Sequence, residues 1–170
     1  TKGHTCYTAE ELKELKEYCA ERFIELVPNQ NSFGHMGKWV KKEKLSHLAI
    51  VKDDGTLGAT LNPLDEGSIE LVDKIFGALL PFFDSEFINI GCDETFDLGQ
   101  GQTKEACEKY GVGRVYMDYL LKLHKLITEK YGKTPMFWDD IAMHHPELIP
   151  ELPKDMVVIE WGYEFDHPYE

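Results

Sequence analysis

Apolar and polar positions alternate along this chain with two periods, and the switches between them outline its elements. Residues 8–21 read as a helix, because Leu12, Leu15 and Cys19 fall on one face. Its start carries Thr8-Ala9-Glu10-Glu11, a pattern in which the Thr hydroxyl and the Glu carboxylate satisfy each other's backbone donors. Residues 23–27 follow as a strand, closed by Pro28, which cannot donate to a ladder. A short helical stretch is expected near 40–48. Asn62-Pro63 signals a helix start with proline in the first turn. That helix should run to about residue 82 with Ile69, Val72, Ile75, Phe76 and Leu79 on its buried side. Residues 87–91 form a second strand. One long helix is predicted over 104–131, buried through Val115, Tyr119, Leu123 and Ile127 and stopped by Gly132. Residues 135–139 and 156–161 supply a third and a fourth strand.

Strands apolar on both faces and separated by amphipathic helices imply an α/β fold with a parallel sheet and helical crossovers. Polar and aromatic groups collect just after the strands: Asn31 and His35, Asp93-Glu94, Trp138-Asp139-Asp140, and Trp161. In parallel α/β folds ligands bind at those carboxyl ends. The pair Asp93-Glu94 stands out. Adjacent ionised carboxylates repel and are costly to desolvate, so a fold that brings such a pair to a strand end uses it for chemistry, whereas in a plain loop it is only solvated.

Composition narrows the partners. The 170 residues suffice for one domain, 1–170, with a real core. The net charge is −13, with no basic cluster beyond Lys41-Lys42, which argues against nucleic acid and anionic membrane surfaces and suits a neutral ligand such as a sugar. No apolar run of about 18 residues is present, so no membrane span is expected. Cys6, Cys19, Cys92 and Cys107 are scattered without a Cys-x-x-Cys pair, which reads as reduced thiols in a cytoplasmic protein. The chain opens on Thr1 with no apolar leader and stops just after a strong apolar strand. It therefore reads as cut from something longer, and secretion stays open. His144 and His145 are adjacent rather than four apart, so no metal site is expected, and no cofactor is called for. Gly99-Gln100-Gly101 lacks the Lys-Ser/Thr of a phosphate loop.

The stretch Asn89-Ile90-Gly91-Cys92-Asp93-Glu94-Thr95 resembles the strand-end motif of glycoside hydrolase family 20, the β-N-acetylhexosaminidases. Leu26-Val27-Pro28, Ser32-Phe33-Gly34-His35-Met36, Phe137-Trp138-Asp139-Asp140 and Ile159-Glu160-Trp161-Gly162 fall in that family's order. The resemblance implies a partial (β/α)8 barrel in which this chain supplies about four parallel strands, barrel strands three to six. It implies Glu94 as general acid and base, and Asp93 as the group that orients a substrate 2-acetamido group, the substrate's own nucleophile. Side chains adjacent on a strand diverge to opposite faces, so two such neighbours are not expected to flank one bond as an ordinary acid and nucleophile would. His35, Trp138 and Trp161 match residues near the sugar. Asp139 is a further substrate-binding candidate, with helix N-cap as its competing role. The implied substrates are terminal β-linked N-acetylglucosaminides and N-acetylgalactosaminides. Open barrel edges would favour self-association. The rival readings are a catalytically silent fragment or sugar-binding module, and an unrelated barrel glycosidase pairing Glu94 with another carboxylate.

Overall fold

The structure, a computed structural model, describes residues 7–167. The capping pattern at Thr8 forms as expected: Thr8 Oγ1 accepts from Glu11 N at 3.1 Å and Glu11 Oε2 accepts from Thr8 N at 2.7 Å. It opens helix α1 (Ala9–Ala20). The predicted strand at 23–27 does not form. Phe23 takes a left-handed φ of 60° and its side chain is fully exposed. Phe23 N donates to Ala20 O and Ile24 N to Cys19 O. Those bonds are a Schellman-type helix end, which claims the residues the strand would have needed. The chain reaches the sheet later. Pro28 O accepts from Asn89 N at 2.9 Å, while Gln30 N and Ser32 N donate to Asn89 O and Ile90 O. Pro28 joins through the carbonyl it still has.

A short helix α2 (Gly37–Val40) and 3-10 turns over Glu43–Leu48 occupy the expected helical stretch. An antiparallel hairpin follows, β1 (Ala49–Val51) with β2 (Leu57–Leu61), which the periodicity reading missed. Asp54-Gly55 between two apolar runs was its signal. Gly55 has φ 82° and Asp54 Oδ1 accepts from Thr56 N and Thr56 Oγ1.

Helix α3 (Glu66–Leu79) starts later than Asn62-Pro63 suggested. Asn62 Oδ1 accepts from Leu64 N to make a turn, and the capping side chain is Asp65, which accepts from Gly67 N. The helix stops at Leu79, and a 3-10 turn containing Pro81 ends the segment at Phe82.

Strand β3 (Phe87–Asn89) leads to the helical stretch predicted as one piece. It is two helices, α4 (Lys104–Tyr110) and α5 (Val112–Lys125). Gly111 at φ 90° and ψ 146° separates them, a conformation closed to helix. The end of α5 widens into π-type turns over Leu126–Tyr131, and Gly132 terminates them at φ 61° as expected. Strand β4 (Thr134–Trp138), the short helix α6 (Asp140–Met143) and strand β5 (Val157–Ile159) complete the fold.

The fold is mixed α/β, with β3, β4 and β5 parallel and in that order. The 28–32 segment extends this sheet beside β3 through an Asn29–Asn89 bridge. Phe33, Ile88, Ile90 and Phe137 are fully buried, as are Leu120 and Leu123 of α5. Among the described residues, the outer edges of the 28–32 segment and of β5 have no strand partner.

Candidate active site

The acid pair sits where β3 stops being a strand. Ile90 N still donates to Met136 O and Trp138 N to Gly91 O, so the chain stays beside β4. Its backbone then turns left-handed at Gly91 (φ 72°), Cys92 (φ 72°) and Glu94 (φ 48°). Two of these residues carry a Cβ, and each costs of order 1–3 kcal/mol unless its surroundings hold it. They do. Cys92 is fully buried and its carbonyl accepts from Tyr116 Oη at 3.1 Å. Glu94 N donates to Asp140 Oδ2 at 3.0 Å.

This strain changes where the side chains go. On a regular strand Asp93 and Glu94 would point to opposite faces. Here both reach one imidazole nitrogen: His35 Nε2 lies 3.0 Å from Asp93 Oδ2 and 3.3 Å from Glu94 Oε2. The expected divergence is therefore overturned, because the pleat has ended before the pair begins.

His35 is itself left-handed (φ 55°) and is presented by a loop that touches the acid pair's backbone. A Cβ on Gly34 would lie 2.0 Å from Asp93 O, so only glycine lets the two loops meet this closely. Phe33 anchors the loop from below, its ring centroid 4.4 Å from that of Tyr119 and 5.5 Å from that of Tyr116. Tyr119 Oη donates to Ser32 O at 3.2 Å and Ser32 Oγ donates to Ile90 O at 2.8 Å. Helix α5 thus supports both loops through two tyrosines.

Above this floor is a cleft of about 330 Å³ lined by His35, Asp93, Glu94, Trp138, Trp161 and Tyr163. The Asp93 side chain is 19% exposed and that of Glu94 39%, so the pair is graded in depth. Asp93 Oδ1 is buried without a hydrogen-bond partner among the described residues.

The profile described as glycosyl hydrolase family 20, catalytic domain, matches residues 1–167. The chain belongs to glycosyl hydrolase family 20. Hexosaminidase D of Bos taurus is 27% identical over 94% of this chain, and that of Homo sapiens 26% over 94%. The chain spans only 48% and 34% of those two relatives. Among solved structures, the exo-β-N-acetylglucosaminidase of Vibrio harveyi in complex with N-acetylglucosamine superposes with a TM-score of 0.70 at 23% identity, covering 92% of this chain and 26% of that one. The β-N-acetylhexosaminidase of Bacteroides fragilis gives 0.72 at 17%, covering 95% and 33%. At these identities the superpositions speak for the fold.

The remaining candidates of this family 20 chain are placed as follows. Asp139 does not line the cleft of the acid pair. It faces an adjoining one with Asp140, Met143, His144, Glu160 and Trp161. It occupies the N-cap position of α6, but its side chain makes no capping bond there. Burial raises its pKa, with Glu160 adding to the effect. Trp138 and Trp161 are half-buried rather than sealed in the core, and Trp161 borders both clefts.

Sequence reasoning missed two contributors. Tyr163 lines the cleft with its ring centroid 5.3 Å from that of Trp161, and an aromatic two residues beyond a strand-end tryptophan was the available clue. Asp140 is read from the sequence as a sugar-hydroxyl ligand, a helix N-cap or a partner acid for Glu94, not as a support for the Glu94 backbone. In the structure its carboxylate holds the Glu94 backbone, and burial, with repulsion from Asp93, raises its pKa.

Cys92 is inert, its thiol pushed up to about 12 by burial. Cys19 and Cys107 are also free and buried, while Cys6 lies outside the described residues. His145 Nδ1 lies 3.4 Å from Glu147, and His124 Nε2 2.9 Å from Asp155. Among the described residues no group of three or more His, Cys, Asp or Glu could hold a metal ion.

Proposed function

We propose that this chain is the central part of a (β/α)8 barrel, its strands three to six, and that it acts on terminal β-linked N-acetylhexosaminides. The observation that carries the reading is the convergence of Asp93 and Glu94 on His35 Nε2 beneath a cleft walled by Trp138 and Trp161. Tryptophan faces suit the C–H face of a sugar ring and an acetamido methyl.

The two acids then divide the work by depth. Glu94, the more open, protonates the glycosidic oxygen as the bond to the anomeric carbon breaks. Asp93, the deeper of the two, accepts the acetamido N–H and favours attack of the acetamido oxygen on the anomeric carbon. A cyclic oxazolinium results. Glu94, now a carboxylate, takes a proton from water as that water reopens the ring, giving net retention. Family 20 is a known substrate-assisted exception to the two-carboxylate scheme. His35, within 3.3 Å of both acids, ties the deeper one to the more open one.

The test is nitrophenol release from an aryl N-acetyl-β-glucosaminide beside the plain β-glucoside. Activity confined to the acetamido sugar, and about 100- to 10,000-fold lower in Glu94→Gln, is expected of a general acid. Equal rates on both sugars, or an active Glu94→Gln chain, would overturn the assignment. The unpartnered sheet edges favour a second reading, a chain that binds the sugar without turning it over. Saturable N-acetylglucosamine binding by a folded but silent sample would establish that instead.

A further inference from the structure

A carboxylate outside the cleft links the two loops that meet in it. Asp97 Oδ2 accepts from Ala59 N at 2.7 Å and from Thr60 N at 2.9 Å, both on β2. Asp97 is three residues beyond Glu94, across a tight turn in which Phe96 N donates to Glu94 O at 2.8 Å. β2 also grips the His35 loop: Met36 N donates to Ala59 O at 2.7 Å and Leu61 N to Phe33 O at 3.0 Å. His35 then reaches back to Glu94 at 3.3 Å. The path from Glu94 through Asp97, β2 and His35 to Glu94 is a closed ring.

Further contacts hold β2 at that distance. Gln102 Oε1 accepts from Val51 N and Gln102 Nε2 donates to Ala49 O, so the Gln102 side-chain amide ties the 3-10 turn after Asp97 to β1, the hairpin partner of β2. A Cβ on Gly58 would lie 2.5 Å from Asp97 Oδ2, so a glycine at 58 is what admits the carboxylate to the β2 backbone. The hairpin that periodicity overlooked is thus the spacer between the two halves of the site.

We propose that Asp97 is a positioning residue for the acid–histidine contact: by clasping β2 it sets the separation of His35 from Glu94. The proposal rests on the reading of Glu94 as the acid, while its spectroscopic test does not. Breaking the clasp frees the two loops to shift independently, which loosens Glu94 relative to a bound sugar. Misplacement of about 1 Å in a reacting group can cost about 100-fold in rate.

Three variants of this chain test it. Asp97→Ala removes the acceptor. Gly58→Ala displaces the carboxylate while leaving Asp97 and both site loops chemically intact. Asp97→Asn keeps one oxygen able to accept both N–H groups and should fall between wild type and Asp97→Ala. The readouts are kcat and KM on the aryl N-acetyl-β-glucosaminide, and the His35 ring resonance in histidine-labelled protein, identified by its loss in His35→Asn. Expected for Asp97→Ala and Gly58→Ala is a kcat at least about tenfold lower with KM within about twofold, the signature of a lost transition-state contact. The His35 resonance should move while that of His124, paired with Asp155 elsewhere, stays in place. A folded Asp97→Ala whose His35 resonance is unmoved, or whose only change is a lower Tm, would overturn the proposal. A wild-type chain without turnover would count against the hydrolase reading alone, and the His35 resonance would still decide the clasp.

Discussion

Gly34→Ala probes the site without touching a charged group. The added methyl would lie 2.0 Å from Asp93 O, a backbone atom that cannot swing aside, and carbon–oxygen contacts under 3.0 Å are essentially unknown. The two loops must therefore part by about 1 Å, on the order of the shifts that overpacking forces. Were the His35 loop to absorb all of it, the His35–Asp93 distance would grow from 3.0 Å to about 4 Å, past hydrogen bonding. Retreat is resisted, because Phe33 is packed on Tyr116 and Tyr119 and Met36 is bonded to β2. The cost should lie within the ~1–3 kcal/mol of an overpacked site, which for a chain of this length lowers Tm by roughly 5 °C. The rate on the aryl N-acetyl-β-glucosaminide should fall about 100-fold, as a 1 Å misplacement predicts. Thermal unfolding, initial rates and the His35 ring resonance read these separately. A variant with wild-type Tm, rate and His35 resonance would refute the argument, since it would mean that the loops do not meet at Gly34.

Other consequences can be checked independently. Tyr116→Phe leaves the buried Cys92 carbonyl without its hydroxyl donor, and should cost about 1–2 kcal/mol, seen as a lower urea midpoint at unchanged slope; an unchanged midpoint would contradict the bond. Asp140→Asn should stabilise the chain at neutral pH. The raised pKa of Asp140 means that the native state holds its proton more tightly than the unfolded state, a contribution present below the ordinary carboxylate value and lost as pH rises through the folded one. The advantage of the variant should therefore grow from about pH 4 to pH 7, and a gap independent of pH would remove burial of this charge as its cause. The edges of the 28–32 segment and of β5, without a strand partner among the described residues, favour self-association, so light scattering should give a mass above that of a monomer; a well-folded monomer would dismiss this.

The chain's own pattern determined the elements whose signals are local. The Thr8 capping box, the apolar face of α3, the Gly132 stop and the apolar cores of β3 and β4 each depend on residues within a turn or two of one another. The place of the acid pair was legible as well, because the apolar run that forms β3 ends just before it. Tertiary structure decided the rest. The strand expected at 23–27 moved to 28–32 because a helix end needed Phe23 in a left-handed conformation, and ladder bonds to Asn89, some sixty residues away, selected the later register. The predicted helix over 104–131 broke at Gly111, whose backbone freedom costs little to use once packing rewards a change of direction. Most consequential is the path after Asn89. No local rule places Cys92 and Glu94 at positive φ. Tyr116 and Asp140 hold them there from distant parts of the chain, and only that conformation turns two diverging neighbours into a pair facing one histidine. Periodicity reports which residues are buried; it carries no information about strain that the surrounding fold imposes and holds.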